Sequence, residues 1–269
     1  MKIISNKNSL IKITNSIKNL GFVPTMGAIH KGHLSLVESS NKKCKKTLVS
    51  IFINKPQFNR DKDFQKYPRT MKEDIKKLKK YKVDYLFVPS FKEMYPNGVN
   101  KKIKVISFAK ELCGKFRPRH FEAIADIIDR FIKVAKPKKI FLGEKDMQQL
   151  KIIDAFVKRN YPKIKVIGCK TVREKNGTAI SSRNVLLSDK EKIITSNIYK
   201  FMKRNKRKIL TNKIKYMYIK KILFGFGVKK IDYIKTLDIN KIINPNHKKK
   251  KLRVFIAYYL RSTRLIDNI

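Results

Sequence analysis

Hydrophobic positions between residues 20 and 170 alternate between two periods. Short runs rich in β-branched and aromatic residues predict strands, and between several of them apolar residues recur every three or four positions, as on one face of a helix. This alternation predicts an α/β fold, a Rossmann-like doubly wound parallel sheet with helices on both faces. The predicted strands are Gly21–Pro24, Thr47–Ile53, Val83–Val88, Lys139–Leu142 and Ile164–Ile167, and the helical patterns lie at Met71–Leu78, Phe121–Ile132 and Met147–Phe156.

The pattern changes after about residue 174. Lys190–Leu210 and Lys213–Phe224 have helical spacing, whereas Lys230–Leu237 and Leu252–Leu260 are strand-like and joined through the turn at Asn244-Pro245-Asn246. We therefore predict two domains, an α/β domain over residues 1–174 and a second, smaller α+β domain over residues 175–269.

The charge of the chain is strongly one-sided. Among 269 residues, 66 Lys and Arg face 20 Asp and Glu, for a net charge of +46. Two interpretations compete: binding to nucleic acid, or an even use of lysine at surface positions. The densest runs, Lys203–Lys208 and Lys248–Lys251, contain no motif that reads RNA or DNA. The pattern favours surface lysines and predicts no specific nucleic-acid partner.

Other features of the sequence predict a cytoplasmic protein. No apolar run approaches the roughly 18 residues of a membrane span, and the first 20 residues are polar where a signal peptide is apolar. Cys44, Cys113 and Cys169 are far apart and lack the spacing of metal ligands. We expect reduced thiols, no membrane partner and no protein-bound metal site.

The most informative segment follows the first strand of the α/β pattern. Sheets of this kind bind ligands beyond the carboxyl ends of their strands, so the residues after Pro24 and Leu142 are the places to search. Two glycines follow Pro24, and His30 and His33 then begin an apolar helix. Backbone N–H groups and the helix dipole at such a position favour phosphate, and imidazoles there stabilise developing negative charge. The alternative is a solvated histidine pair beside a turn.

This segment and several motifs after it resemble the pantothenate synthetase (pantoate–β-alanine ligase) family of the HxGH nucleotidyltransferases. The resemblance covers nearly the whole chain. It implies an ATP-dependent ligase in which pantoate attacks ATP to give a pantoyl adenylate and β-alanine then displaces AMP, with Mg²⁺ on the phosphates and a homodimeric assembly. The motifs in order are Pro24–His33, Phe52–Phe58, Tyr67–Thr70, Arg117–Phe121, Gly143–Leu150, Val172–Glu174, Ile180–Asn184 and Arg264–Asn268.

The resemblance also implies roles for individual residues. His30, His33, Lys145 and Arg183 are the expected catalytic residues, with Arg183 on a phosphate lid in the second domain. Gln57 and Gln149 are the expected pantoate-binding residues of an ATP- and pantoate-binding first domain. The expected ATP-binding residues are Met26, Gly27, Ala28, Ile29, His30, Lys31, Gly32, His33, Gly143, Glu144, Lys145, Asp146, Val172, Ile180, Ser181, Ser182 and Arg183.

The chain departs from the family pattern at a few positions. Arg119 and Arg261 stand where glycine is usual, Lys170 stands where proline is common, and the proline of the Asn54–Gln57 motif is displaced by one position. Arg119 is the departure expected to affect activity, since its loop flanks the expected substrate cleft. Two rivals stay open: a related adenylyl- or cytidylyltransferase, which would share the histidines but not the glutamine pair, and an RNA-binding protein built on the same sheet.

Overall fold

The computed structural model describes all 269 residues, which form two compact units. The first unit comprises Met1–Glu144 and Gln148–Lys170, and the second comprises Lys145–Met147 and Thr171–Ile269. The first unit contains strands β1 (Lys2–Ile4), β2 (Leu20–Thr25), β3 (Lys46–Ile51), β4 (Tyr85–Phe87), β5 (Lys139–Gly143) and β6 (Lys165–Cys169). Its helices are α1 (Lys7–Thr14), α2 (Lys31–Lys43), α3 (Asp61–Gln65), α4 (Met71–Lys80), α5 (Phe91–Met94), α6 (Cys113–Phe116), α7 (His120–Ala135) and α8 (Met147–Asn160).

The six strands form one parallel sheet in the order β1-β4-β3-β2-β5-β6. From β2 the chain builds outward on one side through β3 and β4, and it then returns to place β5 on the other side of β2. The strand order therefore reverses between β2 and β5, and the carboxyl ends of these two strands mark the expected ligand edge. The predicted fold class is confirmed.

Successive residues of a strand point to opposite sides of the sheet, so the apolar strands present buried side chains on both faces. Helices cover both of these faces. In β2, Val23 is buried in one cluster with Val37 of α2 and Leu78 of α4. The neighbouring Phe22 packs on the other face against Phe131 of α7, with ring centroids 5.2 Å apart. A Cβ at Gly21 would lie 2.1 Å from Ser40 Oγ, so glycine lets α2 approach the strand closely.

Local details differ from the sequence prediction where the pattern was weak. The predicted strand Thr47–Ile53 ends at Ile51, and the predicted strand Val83–Val88 is reduced to the three residues of β4. The sequence pattern did not predict β1 and α1, because β1 has three residues and α1 carries a weak apolar face with two buried side chains, Leu10 and Thr14.

The second unit packs helices against a small antiparallel sheet of order β7-β8-β9. The predicted helix Lys190–Leu210 is interrupted at Asn205, and β9 was not predicted, since its six residues alternate polar and apolar only weakly. Its core includes Ile198, Leu223 and Ile256. Its elements are α9 (Asp189–Arg204), α10 (Lys206–Leu210), α11 (Tyr216–Gly225), β7 (Lys230–Asp238), β8 (Leu252–Leu260) and β9 (Thr263–Asn268).

The two arginines that stand in place of glycine both have left-handed backbone conformations. Arg119 caps α7 with φ 60° and ψ 8°, and its Nη2 makes one long hydrogen bond of 3.4 Å to the Lys101 carbonyl. Arg261 has φ 45°, but its Nε and Nη2 donate to both carboxylate oxygens of Glu191 at 3.0 and 2.9 Å. Both positions favour glycine, and only Arg261 gains a strong side-chain contact in return.

Arg119→Gly is expected to raise the free energy of unfolding by about 0.5–1 kcal/mol, since it removes the Cβ from a left-handed residue. Arg261→Gly is the matched control and is expected to lower stability, because it also removes the ion pair with the buried Glu191. Urea unfolding followed by tyrosine fluorescence measures both variants. An Arg119→Gly protein less stable than its parent contradicts the assignment of strain to this residue.

Candidate active site

The loop after β2 changes direction through two consecutive left-handed residues. Gly27 has φ 80° and Ala28 has φ 49°. A Cβ at Gly27 would lie 3.1 Å from both Asp74 Oδ2 and Ile51 Cγ2 and would also sit at an unfavourable φ, so this position requires glycine. After this turn, the chain passes through Ile29 and His30 into α2, at the carboxyl edge of the sheet.

His30 and His33 form a stacked pair at the N-terminus of α2. Their rings are 3.9 Å apart between centroids, and their planes differ by 14°. His30 is the N-cap residue, and its Nδ1 accepts a hydrogen bond from the His33 backbone N–H at 3.4 Å. Because Nδ1 acts as the acceptor, a neutral His30 ring carries its proton on Nε2.

The residues between the two histidines differ in exposure. A Cβ at Gly32 would lie 3.0 Å from the His30 ring, so glycine allows the ring to fold over the helix start. Lys31 is exposed, whereas both histidines are partly buried. The predicted cluster of two imidazoles beside a helix N-terminus is therefore present in the first unit, beyond the end of β2.

Gln57 is buried beside this loop and is held by a hydrogen-bonded network. Its Nε2 lies 2.9 Å from Met26 Sδ, and its Oε1 accepts from Asn54 Nδ2 at 3.1 Å. Asn54 in turn accepts from the Tyr95 hydroxyl at 2.7 Å and donates to the Ala123 carbonyl at 3.1 Å. Burial raises the pKa of Tyr95, so it remains a donor over the physiological pH range. Gln57 thus lies next to Met26 in a motif whose proline is displaced by one position.

The main chain of Gln57 is tied to the segment that contains Arg119. Its carbonyl oxygen lies 2.8 Å from His120 Nδ1 and 3.1 Å from Arg117 Nη2. Arg119 itself is exposed and does not take part in these contacts. The substitution of glycine by arginine therefore leaves this support of Gln57 in place.

The two glutamines after β5 have different environments. Gln148 is 5% exposed and makes three hydrogen bonds, accepting from the Cys113 N–H at 3.0 Å and donating to the carbonyls of Phe108 and Glu111 at 2.9 and 2.8 Å. Gln149 is half-buried, with its amide uninvolved in that network. Gln148 thus holds the segment around α6 to α8, and Gln149 stays the predicted pantoate ligand.

Gly143 and Glu144 belong to the first unit, and Lys145 and Asp146 belong to the second. A Cβ added to Gly143 would meet no atom within 4 Å, so open space lies at the end of β5. Lys145 Nζ is 3.7 Å from Asp146 Oδ1, and the Lys145 carbonyl accepts from Asn268 Nδ2 at 2.9 Å. From the sequence, all four residues were expected in the first domain, whereas Lys145 and Asp146 lie in the second unit.

The expected phosphate lid lies in the second unit. Ser181 caps the short 3-10 helix Ser182–Leu186 by accepting from the Arg183 N–H at 3.3 Å. Ser182 is buried, and Arg183 is partly exposed. The Ile180 N–H donates to the Val172 carbonyl at 3.1 Å, which places these two expected ATP-binding residues side by side.

A cavity of about 300 Å³ adjoins the loop after β2. Residues that the sequence analysis did not single out, Asp74 and Phe91 among them, contribute to its wall. Asp74 was missed because it lies in a charge-rich helix, where a carboxylate is usually solvated. The wall consists of residues 26–28, 51–53 and 68–71 together with Asp74, Pro89 and Phe91.

Two further observations concern metals and membranes. No group of three or more His, Cys, Asp or Glu side chains is arranged to hold a metal ion. None of the helices combines the length and apolar character needed to cross a bilayer.

Comparison with known proteins gives one consistent result. The model of the pantoate-beta-alanine ligase family matches residues 2–269. A pantothenate synthetase from Sulfurihydrogenibium sp. is 40% identical and covers 100% of this chain and 99% of its own. The crystal structure of a pantoate-beta-alanine ligase from Francisella tularensis, complexed with beta-gamma ATP and beta-alanine, has a TM-score of 0.86 at 34% identity and covers 100% of this chain and 97% of its own. Pantothenate synthetase from Thermus thermophilus has a TM-score of 0.87 at 30% identity, with 100% and 99% covered.

A parallel sheet whose order reverses beside the N-terminus of a helix is an arrangement typical of nucleotide-binding α/β proteins. The chain belongs to the pantoate–β-alanine ligase family. It is accordingly an ATP-dependent ligase that joins pantoate to β-alanine to give pantothenate, AMP and pyrophosphate.

Proposed function

We propose that the two half-reactions take place at the carboxyl edge of β2 and β5, with His30 and His33 at the reacting phosphate. The observation that carries this proposal is the stacked imidazole pair at the N-terminus of α2, at the point where the strand order reverses. Two ring donors and the positive end of a helix dipole are suited to an anion that gains charge during the reaction.

In the first step a carboxylate oxygen of pantoate attacks the α-phosphorus of ATP. The new P–O bond replaces the bond to the β-phosphate oxygen, and pyrophosphate leaves. His33 and His30 donate hydrogen bonds to the phosphate oxygens, and Lys145 and Arg183 neutralise the charge of the triphosphate and of the departing pyrophosphate. Asp146 accepts from the ribose hydroxyls. The remaining contacts to ATP come from the other predicted residues of the β2, β5 and Val172–Arg183 segments.

In the second step the amine of β-alanine attacks the acyl carbon of the pantoyl adenylate. The C–O bond to AMP breaks, the amide C–N bond forms, and the amine proton passes to solvent. The protein does not have to supply a covalent nucleophile for either step. Its contribution is to position the reactants and stabilise charge.

Gln57 and Gln149 are the proposed ligands of pantoate. A small hydroxy acid that must keep its carboxylate free for attack is well matched by neutral amides, which bind its hydroxyls without adding charge. Gln57 is already oriented by Asn54 and Met26, so it loses little conformational freedom on binding.

Mg²⁺ is proposed to enter with ATP. This ion gives up its water reluctantly, and in nucleotide-dependent enzymes it is held largely by substrate phosphates and water rather than by a cage of protein ligands. Bound in this way, the ion would neutralise part of the triphosphate charge, while Lys145 and Arg183 neutralise the remainder.

We also propose a homodimer that works in the cytoplasm. The dimer is supported by the family resemblance. A single species of 31.6 kDa, the mass of one chain, in analytical ultracentrifugation would contradict it.

The proposed cytoplasmic location is supported by the three cysteines, which form no disulfide. Burial raises the pKa of the Cys44 and Cys169 thiols, which keeps them protonated and slow to oxidise.

Labelled pyrophosphate is expected to exchange into ATP when pantoate is present and β-alanine is absent. The adenylate is made in the first half-reaction alone, so its reversal returns the label to ATP. A transferase acting on another acceptor would not depend on pantoate, and an RNA-binding protein would catalyse no exchange. A folded protein that binds ATP but shows no pantoate-dependent exchange contradicts the adenylate mechanism.

Gln149→Ala is expected to raise the pantoate concentration needed for half-maximal exchange by about tenfold, with little change in the KM for ATP. Gln148→Ala is the informative companion variant, because it loses three structural hydrogen bonds and is expected to lower the melting temperature instead. Exchange with an unchanged pantoate KM in Gln149→Ala would remove Gln149 from the site and leave the ligase assignment intact.

A further inference from the structure

The backbone that leads into the histidine pair is held by one carboxylate from a distant part of the sequence. Asp74 lies in the first turn of α4 and is 1% exposed. Its Oδ2 accepts from the Ala28 N–H at 2.8 Å, and its Oδ1 accepts from the Ile29 N–H at 2.7 Å. Thr70 Oγ1 donates a third hydrogen bond at 3.1 Å. A buried carboxylate with three donors is strongly fixed in position.

The same helix also holds the opposite side of Ile29. Lys77 lies one helical turn after Asp74, and its Nζ donates to the Ile29 carbonyl at 2.7 Å. The peptide groups on both sides of Ile29 are therefore fixed by α4, one through its N–H and the other through its C=O. Ile29 immediately precedes His30, the N-cap of α2.

This clamp stabilises an otherwise unfavourable turn. In a turn, successive backbone N–H groups can face the same side and form a concave site for an anion. Here that site is occupied by Asp74, so the N–H groups of Ala28 and Ile29 are committed to the protein. The left-handed φ of Ala28 is costly for a residue with a Cβ, and the ionic hydrogen bonds offset this cost.

We propose that Asp74 and Lys77 are positioning residues for the first half-reaction: they fix the loop from Gly27 to Ile29 and thereby the placement of His30 and His33 at the phosphate. The proposal rests on the function proposed for the two histidines. In this proposal Asp74 binds backbone N–H groups of the protein, whereas the histidines and the N-terminus of α2 bind the ATP phosphates.

Asp74→Asn tests the proposal with minimal change in shape. An amide offers one acceptor where the carboxylate offers two, so its NH₂ group opposes one of the two loop N–H groups. The rate of pantoate-dependent pyrophosphate exchange at saturating substrate is expected to fall by about tenfold, with a smaller change in KM, because misplaced catalytic groups lower kcat first. Glu73→Gln is the matched control, since Glu73 is an exposed carboxylate in the same helical turn, and it is expected to retain the parent rate.

A double variant separates positioning from a general structural effect. If Asp74 acts through the histidine pair, adding Asp74→Asn to His33→Ala is expected to cost about threefold or less, because one of the two groups to be positioned is already missing. A structural effect would instead repeat the full loss in the His33→Ala background, and that additive result would overturn the proposal.

Lys77→Met provides a second test that does not alter a buried carboxylate. It removes one hydrogen bond to the loop and is expected to lower the exchange rate by about threefold, whereas Lys76→Met, which removes no hydrogen bond to the loop, is expected to have no effect. Lys77→Arg keeps a donor and is expected to restore most of the rate. Parent rates in both Asp74→Asn and Lys77→Met, with a strong loss in His33→Ala, would overturn the proposal alone. A normal rate in His33→Ala would instead overturn the role proposed for the histidines.

Discussion

Replacing His33 by alanine is expected to lower turnover by about 10²–10³-fold while the fold stays intact, as for the loss of one donor that acts mainly in the transition state. His33 is partly buried and packs on His30 through ring stacking rather than through the core, so its removal leaves the helix and the sheet contacts in place. The negative charge on the α-phosphate rises as the carboxylate attacks, and an imidazole donor at the start of α2 then interacts most strongly. Steady-state turnover and circular dichroism of the same preparation measure the two effects.

His247→Ala is the control for this variant. His247 lies in the second unit between β7 and β8, where its Nδ1 is 2.9 Å from the Lys249 carbonyl. It is expected to retain turnover within about twofold. A His33→Ala protein with turnover within a few-fold of the parent would assign His33 to structure rather than catalysis.

The second large effect is expected on stability, at the ion pair between Arg173 and Asp267. Two parallel hydrogen bonds of 2.7 and 2.8 Å join the guanidinium to both carboxylate oxygens. Arg173 also donates to the Gly177 and Asn268 carbonyls, and its guanidinium lies 4.2 Å from the ring centroid of Tyr199. Burial lowers the pKa of Arg173, but the hydrogen bonds and charge of Asp267 outweigh this effect and raise it.

Asp267→Asn is expected to destabilise the protein by about 2–3 kcal/mol, since it leaves a largely buried guanidinium without its counter-charge. The value lies below that of a fully buried pair because the two side chains remain 18% and 13% exposed. Urea unfolding followed by tyrosine fluorescence measures the change. Lys192→Met, which breaks the exposed pair with Asp189, is expected to change stability much less. An equally small effect in Asp267→Asn would show that the pair contributes little to stability.

The sequence predicted best where chemistry and fold are encoded locally. The strand at Gly21–Pro24, the turn after it and the helix start at His30 lie within a few residues of each other, and their period and glycine spacing are unambiguous. The stacked contact of His30 and His33 follows from their separation by three residues on a helix. The parallel sheet also followed, because alternating strands and helices favour that arrangement.

Prediction failed where the decisive contacts connect distant segments. Asp74 is 46 residues from Ala28 along the chain, and half of the residues in its helix are lysines, so the sequence of the helix is typical of a solvated surface. Asn54, which donates to the Gln57 side chain, is itself held by Tyr95 and Ala123, and no local pattern associates either residue with it. Strand β9 was not predicted because polar and apolar residues alternate only weakly along its six positions. It forms nevertheless by antiparallel pairing with β8. Tertiary contacts decided each of these features.

Three non-glycine residues with positive φ are also positions at which substitution by glycine is expected to make the enzyme more heat-resistant. Lys82, Arg119 and Lys136 adopt positive φ in a protein with only 10 glycines among 269 residues. All three lie outside the loop that carries the histidines. Small gains in stability at distant sites usually add. Glycine at all three positions is therefore expected to raise the melting temperature without changing the loop that carries the histidines. The turn at Gly27 and Ala28 is not a target for such changes, because we propose that it positions the histidine pair.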